Sequence, residues 1–401
     1  MAGPADIVQA ATGVCEVVFL CDFSLPEVER QRRVLEALGT VMDMTGMAAT
    51  DVAVKLTGRG VRHLLTFSEP QLTRTAEVAE AAGISFLSRE VAERCTNKST
   101  QRAVLAAAGL QHVRHRVLEA SDRIDEALED VGLPAVVKPI VGVGSRDVAA
   151  LHTNESATTL LRDMLSPSSD APPVRLLLEE MLEGDESGAG AGWGDYVSVE
   201  ALLFQGEVVP VSVTGKFPLV PPFRESGIIV PATVSASLAQ ECVALATAAV
   251  RALDIRCGVT HTELKLTKDG PRIIEVNGRL GGYVPELLSR ATGFDLVKAA
   301  LLLAIGRPVS VPPLHYDTVE FEYFIQPPVD AQKVVDISGW RELRQLPGVR
   351  RVEQHARAGD AIDWRKGTLT HLAVVHASAR DHAQAREMAA LISDTLQVTY
   401  G

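Results

Sequence analysis

Glu263, Glu275 and Asn277 stand on two alternating runs, His261–Thr267 and Pro271–Arg279, separated by Lys268-Asp269-Gly270. That tripeptide suits a three-residue hairpin loop, with glycine supplying the left-handed position. The loop predicts Thr267 opposite Pro271 and Glu263 opposite Glu275. Side chains alternate along strands, so Leu264, Leu266, Ile274 and Val276 would build core. Glu263, Glu275 and Asn277 would then share the other face, joined by Arg279 if the strand runs that far. Two carboxylates directly across a ladder repel unless a cation compensates them. With an amide oxygen they make the hard oxygen set that Mg²⁺ takes alongside phosphate oxygens. Arg279 offers a planar fork for a phosphate. A solvent-exposed polar hairpin face would show the same alternation, so other motifs must decide between the two.

Lys138 closes the β-rich run Ala135-Val-Val-Lys138 and is followed by Pro-Ile-Val-Gly142-Val-Gly144-Ser145-Arg146. A lysine at the end of a buried strand needs an anionic partner. Glycines let backbone N–H groups approach phosphate oxygens, and Ser145 and Arg146 add side-chain donors. The Walker pattern is absent, as is any G-x-G-x-x-G after a strand, which removes the usual dinucleotide fingerprint. Further on, Leu176–Leu182 reads as a strand running into a linker. Its backbone can read an adenine edge, with a nearby acid for the ribose hydroxyls.

The elements that must position these groups follow from periodicity. Val17–Leu20 and His63–Phe67 read as strands, and Pro26–Leu38 and Glu69–Ala82 as helices stopped by Gly39 and Gly83. Together they predict an open α/β unit with parallel strands. Helical stretches are expected over Glu90–Leu110, Ser156–Leu165, Leu238–Leu253 and Ala383–Leu396. Strands are expected at Val174–Leu178, Val197–Phe204 and Glu207–Val213, with Gly206 in the turn. Ser166–Pro173 is a Ser/Pro-rich turn, and Gly184–Asp195 a Gly/Ala/Ser-rich loop with no packing signal. The chain from Pro312 onward forms a last, mixed lobe.

At 401 residues the chain suggests two or three packed units. Its 46% apolar and 22% charged residues argue for globular structure. A net charge of −12 weighs against a nucleic-acid surface, and 4% aromatic content leaves little for base stacking. Glu16 interrupts the apolar run Cys15–Cys21, which has neither a basic flank nor a cleavage site, so no signal peptide or membrane span is expected. Five scattered cysteines without metal spacing read as reduced core thiols in a cytoplasmic protein.

Taken in order, the motifs resemble the ATP-grasp superfamily and, within it, carboxylate–amine ligases of the L-amino-acid (dipeptide) ligase type. The resemblance covers roughly residues 60 to 306. It rests on Asn97-Lys98-x3-Arg102-x2-Leu105-x3-Gly109, Val136-Val-Lys138-Pro139-x2-Gly142-x-Gly144-Ser145, Leu178-Glu179-Glu180 and Ser198-Val-Glu200-Ala201. Its most specific part is Gly258-Val-Thr-His261-Thr-Glu263 followed by Ile274-Glu275-Val-Asn277-x-Arg279-x-Gly281-Gly282.

The resemblance implies an α/β ATP-grasp fold with an N-terminal domain over 1–95, an ATP-grasp domain over 96–306 and a C-terminal α+β lobe over 307–401. A small mobile lobe, about 111–204, would close over ATP with the glycine loop as lid. Lys98 and Lys138 would contact ATP phosphates with Gly142, Gly144 and Ser145. Glu179, Glu180 and Leu182 would line the adenine site. Glu263, Glu275 and Asn277 would hold Mg²⁺, for which Mn²⁺ could substitute. Arg279 would stabilise the transferred phosphoryl group, with Lys138 as the second catalytic cation. The family often has another glycine where Asp147 stands. An insertion, Ser187–Gly194, separates the two acids that could bind ribose, Glu186 and Asp195, of which Glu186 is preferred.

The implied reaction joins a small-molecule carboxylate to an amine through an acyl phosphate, releasing ADP and phosphate. Lys216 to Gly227 is a Pro-rich loop of the kind that borders the substrate pocket in such ligases. There Arg224 could pair a substrate carboxylate and Glu225 an α-ammonium, or the loop could simply cap the sheet. Lys216, His261 and Gly282 complete the candidate substrate residues, with His261 either a proton acceptor or a structural hydrogen-bond partner. A homodimer is compatible with the resemblance. The rival readings are another ATP-grasp reaction, forming a thioester or working as a carboxylase, and a non-catalytic nucleotide-binding module.

Overall fold

A computed structural model of the chain describes residues 2–120, 123–166 and 174–401. The expected turn over Ser166–Pro173 lies outside the described residues except for Ser166. Sixteen strands are described: β1 Val18–Cys21, β2 Thr40–Asp43, β3 His115–Leu118, β4 Ala135–Pro139, β5 Ala149–Leu151, β6 Leu176–Glu180, β7 Tyr196–Phe204 and β8 Glu207–Lys216. The others are β9 Gly227–Val230, β10 Gly258–Thr267, β11 Gly270–Asn277, β12 Val319–Ile325, β13 Val334–Ser338, β14 Val349–Gln354, β15 Ala373–Ala379 and β16 Gln397–Tyr400.

An antiparallel eight-stranded sheet, in the order β11-β10-β7-β8-β9-β12-β15-β14, forms the centre. Its strands come from both the middle of the chain and the C-terminal region. One face packs on helices Ala236–Ala252 and His382–Thr395 through Leu264, Phe321, Val375 and Ile392. The other packs on helices Pro4–Ala11, Val284–Thr292 and Leu296–Ala304 through Leu202, Leu287 and Phe324. A separate four-stranded antiparallel sheet, β3-β6-β4-β5, carries its own core with helices Ile124–Val131 and Asn154–Leu165. The small lobe expected to reach about residue 204 therefore ends sooner, because β7 is hydrogen-bonded between β10 and β8 in the large sheet.

Near the N-terminus, β1 and β2 pair in parallel, as an open α/β unit requires. His63–Phe67, expected as a strand, joins no ladder; Leu64 and Phe67 are buried by packing alone. The helical stretch at Glu90–Leu110 is two helices, Arg89–Thr96 and Lys98–Ala107. Asn97 breaks them, its side chain accepting from the Ser99 and Thr100 amides as an N-cap. That cap puts Lys98 at the first position of a helix aimed at the cleft. The loop expected to lack packing instead buries Trp193 against Phe217, ring centroids 5.1 Å apart. All five cysteines are free thiols. Among the described residues no helix is long and apolar enough to cross a membrane.

Candidate functional site

The metal-type hairpin forms, with one change of register. Thr267 lies opposite Gly270 and Leu266 opposite Pro271, so the turn has two residues, not the three expected. A bulge at Glu263/Leu264 absorbs the difference: Glu263 still pairs with Glu275, while Leu264 pairs with Ile273. A one-residue slip sends side chains to opposite faces. Accordingly Ile273 is buried in the core and Ile274, expected there, lines the cleft. His261 stands opposite Asn277, as expected.

Each carboxylate of the facing pair already has one cation. Lys98 Nζ lies 3.1 Å from Glu275 Oε2 and donates to the Gly142 carbonyl at 2.7 Å, tying the glycine loop to the acid pair. His261 bridges Glu200 and Glu263, with Nδ1 2.5 Å from Glu200 Oε1 and Nε2 3.3 Å from Glu263 Oε1. Burial lowers the His261 pKa, but the two carboxylates outweigh it and raise it to about 9. Burial pushes Glu263 up, but His261, Lys216 and Arg279 hold it at about 2. His261 is therefore a cation near neutral pH, which favours the hydrogen-bond role over the proton acceptor. Gly281 packs against it: a Cβ there would meet His261 Nδ1 at 2.6 Å. Gly282, the expected substrate glycine, faces open space.

These closest contacts use Oε1 of Glu263 and Oε2 of Glu275, which leaves the other oxygen of each for a further ligand. Asn277 is fully buried beside them, its Oδ1 3.4 Å from Arg279 Nη2 and its Nδ2 without a partner. This donor set fits Mg²⁺. Arg279 is gripped by Glu69 through Nε at 3.1 Å and Nη2 at 2.8 Å. Burial and the Glu275 charge raise the Glu69 pKa to about 7 against the pull of Arg279.

Lys138 finds its anion inside the protein. Its ammonium pairs with Glu179, whose other oxygen receives Arg102 Nε at 2.8 Å. All three side chains are buried. Burial pushes Glu179 up, and the two cations more than reverse it, to about 2. The Glu179 carboxylate is thus committed to Arg102 and Lys138. Burial also lowers the Lys138 pKa, which Glu179 counters only in part. Gly144, Ser145 and Asp147 all have positive φ (65°, 57° and 52°). The left-handed backbone at Asp147 explains why glycine suits that position.

One cleft gathers Lys98, Lys138, Gly142, Gly144, Ser145, Glu179, Glu180, Leu182, Glu225, Glu263, Glu275 and Arg279. Phe223 and Leu219 of the Pro-rich loop border it. Glu225 pairs with Lys216 at 2.8 Å. Arg224 corrects its expectation: it is fully buried, donates to the Pro221 carbonyl at 2.9 Å and is not among the lining residues. Glu186 is corrected too, being exposed on a 3₁₀ turn outside the cleft lining. Asp195 is held by Lys265 at 2.7 Å, and Glu180 by Arg114 at 2.7 Å.

Sequence reasoning missed Glu69, Arg102, Glu200, Tyr196 and Lys265. Glu200 and Arg102 stand inside motifs already noted, and their burial was the missing information. Glu69 carried no signal beyond an acid in a first helical turn.

The sequence matches the ATP-grasp domain over residues 131–285 and the L-amino acid ligase C-terminal domain 2 over residues 328–401. It is 30% identical over 278 residues to the uncharacterized protein y4rH of Sinorhizobium fredii, covering 68% of this chain and 54% of that one. It is 25% identical over 266 residues to alanine–anticapsin ligase of Bacillus subtilis, covering 63% and 56%. The chain therefore spans about half the length of these curated relatives. The crystal structure of L-amino acid ligase from Bacillus licheniformis superimposes with a TM-score of 0.78 at 24% identity, covering 98% of this chain and 95% of that one. The chain thus carries an ATP-grasp domain and, after it, an L-amino acid ligase C-terminal domain, on an ATP-grasp fold.

Proposed function

We propose that the chain is an ATP-dependent carboxylate–amine ligase that joins two amino acids, or a small carboxylic acid and an amino acid. The observation that carries this reading is the Glu263/Glu275 pair with Asn277 and Arg279, lining or adjoining one cleft with Lys98 and Lys138. ATP-grasp proteins use ATP and Mg²⁺, and a bound Mg²⁺ supplies charge neutralisation at the transferred phosphate. Glu263, Glu275 and Asn277 would hold it. Mn²⁺, which takes the same oxygen donors, is a proposed substitute.

In the proposed reaction a substrate carboxylate attacks the γ-phosphate, ADP leaves, and an amine then displaces phosphate from the acyl phosphate. Lys98 and Lys138, which line the cleft with the glycine loop, bind phosphate oxygens. Arg279, aimed by Glu69, offsets the charge that develops on the transferred group. Glu179 and Arg102 hold Lys138 in place, so little rearrangement is needed when ATP enters. Tyr196, Phe223 and Glu225 line the end of the cleft proposed for the substrates. Glu225 is proposed to take an α-ammonium, exchanging it for Lys216. Closure of the β3–β6 lobe with residues 142–147 would exclude water from the acyl phosphate.

An oxygen-label experiment tests the chemistry. With a substrate carboxylate labelled in ¹⁸O, one label per turnover should appear in the released phosphate. Unlabelled phosphate alongside new amide would contradict an acyl phosphate. Label transfer with no amide formed would point instead to a thioester-type or carboxylase-type reaction.

A further inference from the structure

Away from the cleft, Glu322 of β12, His376 of β15 and Glu286 of helix Val284–Thr292 bring one ligand atom each to within 4.8 Å of one another. Glu322 and His376 are direct cross-strand partners, and both are fully buried. His376 Nδ1 is 2.9 Å from Glu322 Oε1 and 3.3 Å from Glu286 Oε1. No well-directed hydrogen bond reaches either Glu322 oxygen, and the His376 ring nitrogen at 2.9 Å is its charged partner. A fully buried carboxylate without a hydrogen bond is costly unless a cation meets it.

The opposite side of the ring is also prepared. His376 Nε2 is 3.2 Å from Glu353 Oε1, the place of a carboxylate that accepts the ring N–H and frees the other nitrogen to bind a metal. Three carboxylates, Glu286, Glu322 and Glu353, surround the ring. Arg351 Nη2 stands 2.7 Å from Glu286, 2.9 Å from Glu353 and 3.1 Å from His376 Nε2. Arg290 is more distant, 3.9 Å from Glu286, and shared with Glu320. One imidazole and two carboxylates at these separations suit a first-row divalent transition ion, which binds such donors at about 2.0–2.2 Å.

We propose that Glu286, Glu322 and His376 Nδ1 bind one such ion, with Glu353 holding the Nε2 proton. Helix Val284–Thr292 begins just after Arg279-Leu-Gly281-Gly282, so the ion would clamp that segment to the C-terminal strands. The site differs from the Glu263/Glu275/Asn277 set in place and in donor chemistry.

Co²⁺ is the probe, because its visible d–d bands report coordination to nitrogen and oxygen. In the Glu275→Ala protein, which lacks the cleft's acid pair, equilibrium dialysis should leave one Co²⁺ per chain with those bands. Adding Glu353→Gln should weaken binding about 10–100-fold, and adding Glu286→Ala should abolish the bands. Glu286 is half-exposed, so its loss should not unfold the chain; melting curves of each protein check this. As a second measurement, Zn²⁺ should raise the melting temperature of Glu275→Ala relative to EDTA. No retained Co²⁺ in Glu275→Ala, or retention unchanged by Glu286→Ala and Glu353→Gln, would overturn the proposal and leave a proton-sharing ion network.

Discussion

Lys138, Arg102 and Glu179 hold three charges out of water in one contact, and removing the single acid leaves two buried cations facing each other. Breaking such a group costs about 3–5 kcal/mol. Glu179→Gln should therefore lower the urea midpoint by that equivalent, and a loss below about 1 kcal/mol would contradict the assigned pairing. The pH dependence follows in sign. Glu179 is held at about 2, below its ordinary 4.5, so its stabilisation is present above pH 4.5 and lost as pH falls towards 2. His261 behaves oppositely. Its pKa is raised from 6.5 to about 9, so its contribution is full below pH 6.5 and lost as pH rises through 9. Unfolding titrations of wild type against His261→Asn should show the stability gap shrinking over that window. A gap that stayed constant from pH 6 to about 9.5 would refute a charged His261. From the sequence, Lys138 could be read as needing an anion, but not that Glu179 supplies it. That answer depends on β4 pairing with β6, a long-range register that local patterns do not encode.

The glycine loop meets the C-terminal region in a tight backbone contact. The Thr368 amide donates to the Gly144 carbonyl at 2.9 Å, and the Asp147 amide donates to the Arg365 carbonyl at 2.8 Å. Gly367 has φ 65° and ψ −140°, and a Cβ there would meet the Gly144 oxygen at 2.1 Å. Thr368 Oγ1 in turn accepts from the Glu225 amide at 3.1 Å, which connects the loop to the end of the cleft proposed for the substrates. Gly367→Ala should separate these contacts and cost about 10²-fold in kcat/KM, because misplaced groups lose that much even far from the chemistry. Faster proteolysis at residues 142–147 should accompany it. Unchanged kinetics would show that this contact does not support the closed cleft. The hairpin illustrates what local patterning can and cannot supply. The Glu263/Glu275 pairing was legible, but through a three-residue turn. The actual two-residue turn and bulge reach the same pair while exchanging Ile273 and Ile274 between core and cleft. Arg224 misleads for a related reason: its ionic character suggested a substrate contact, whereas the loop turns the side chain inward.

At the scale of the molecule, the order of motifs along the chain carried more than any motif alone. Lys98, Lys138, Glu263, Glu275 and Arg279 are spread over 182 residues of sequence yet line one cleft between the four-stranded and eight-stranded sheets. The sharing of the large sheet between β7–β11 and the C-terminal strands β12, β14 and β15 was not legible, since strand neighbours distant in sequence leave no local signal. On the proposed reading, the cleft couples ATP cleavage to amide formation. The most direct measurement is Mg²⁺-dependent release of ADP and phosphate with a pool of amino acids, for wild type and Glu275→Ala. Release should require both a carboxylate and an amine substrate, and should fall at least about 10²-fold in the variant. Release that needs no second substrate, or that survives Glu275→Ala, would contradict that reading.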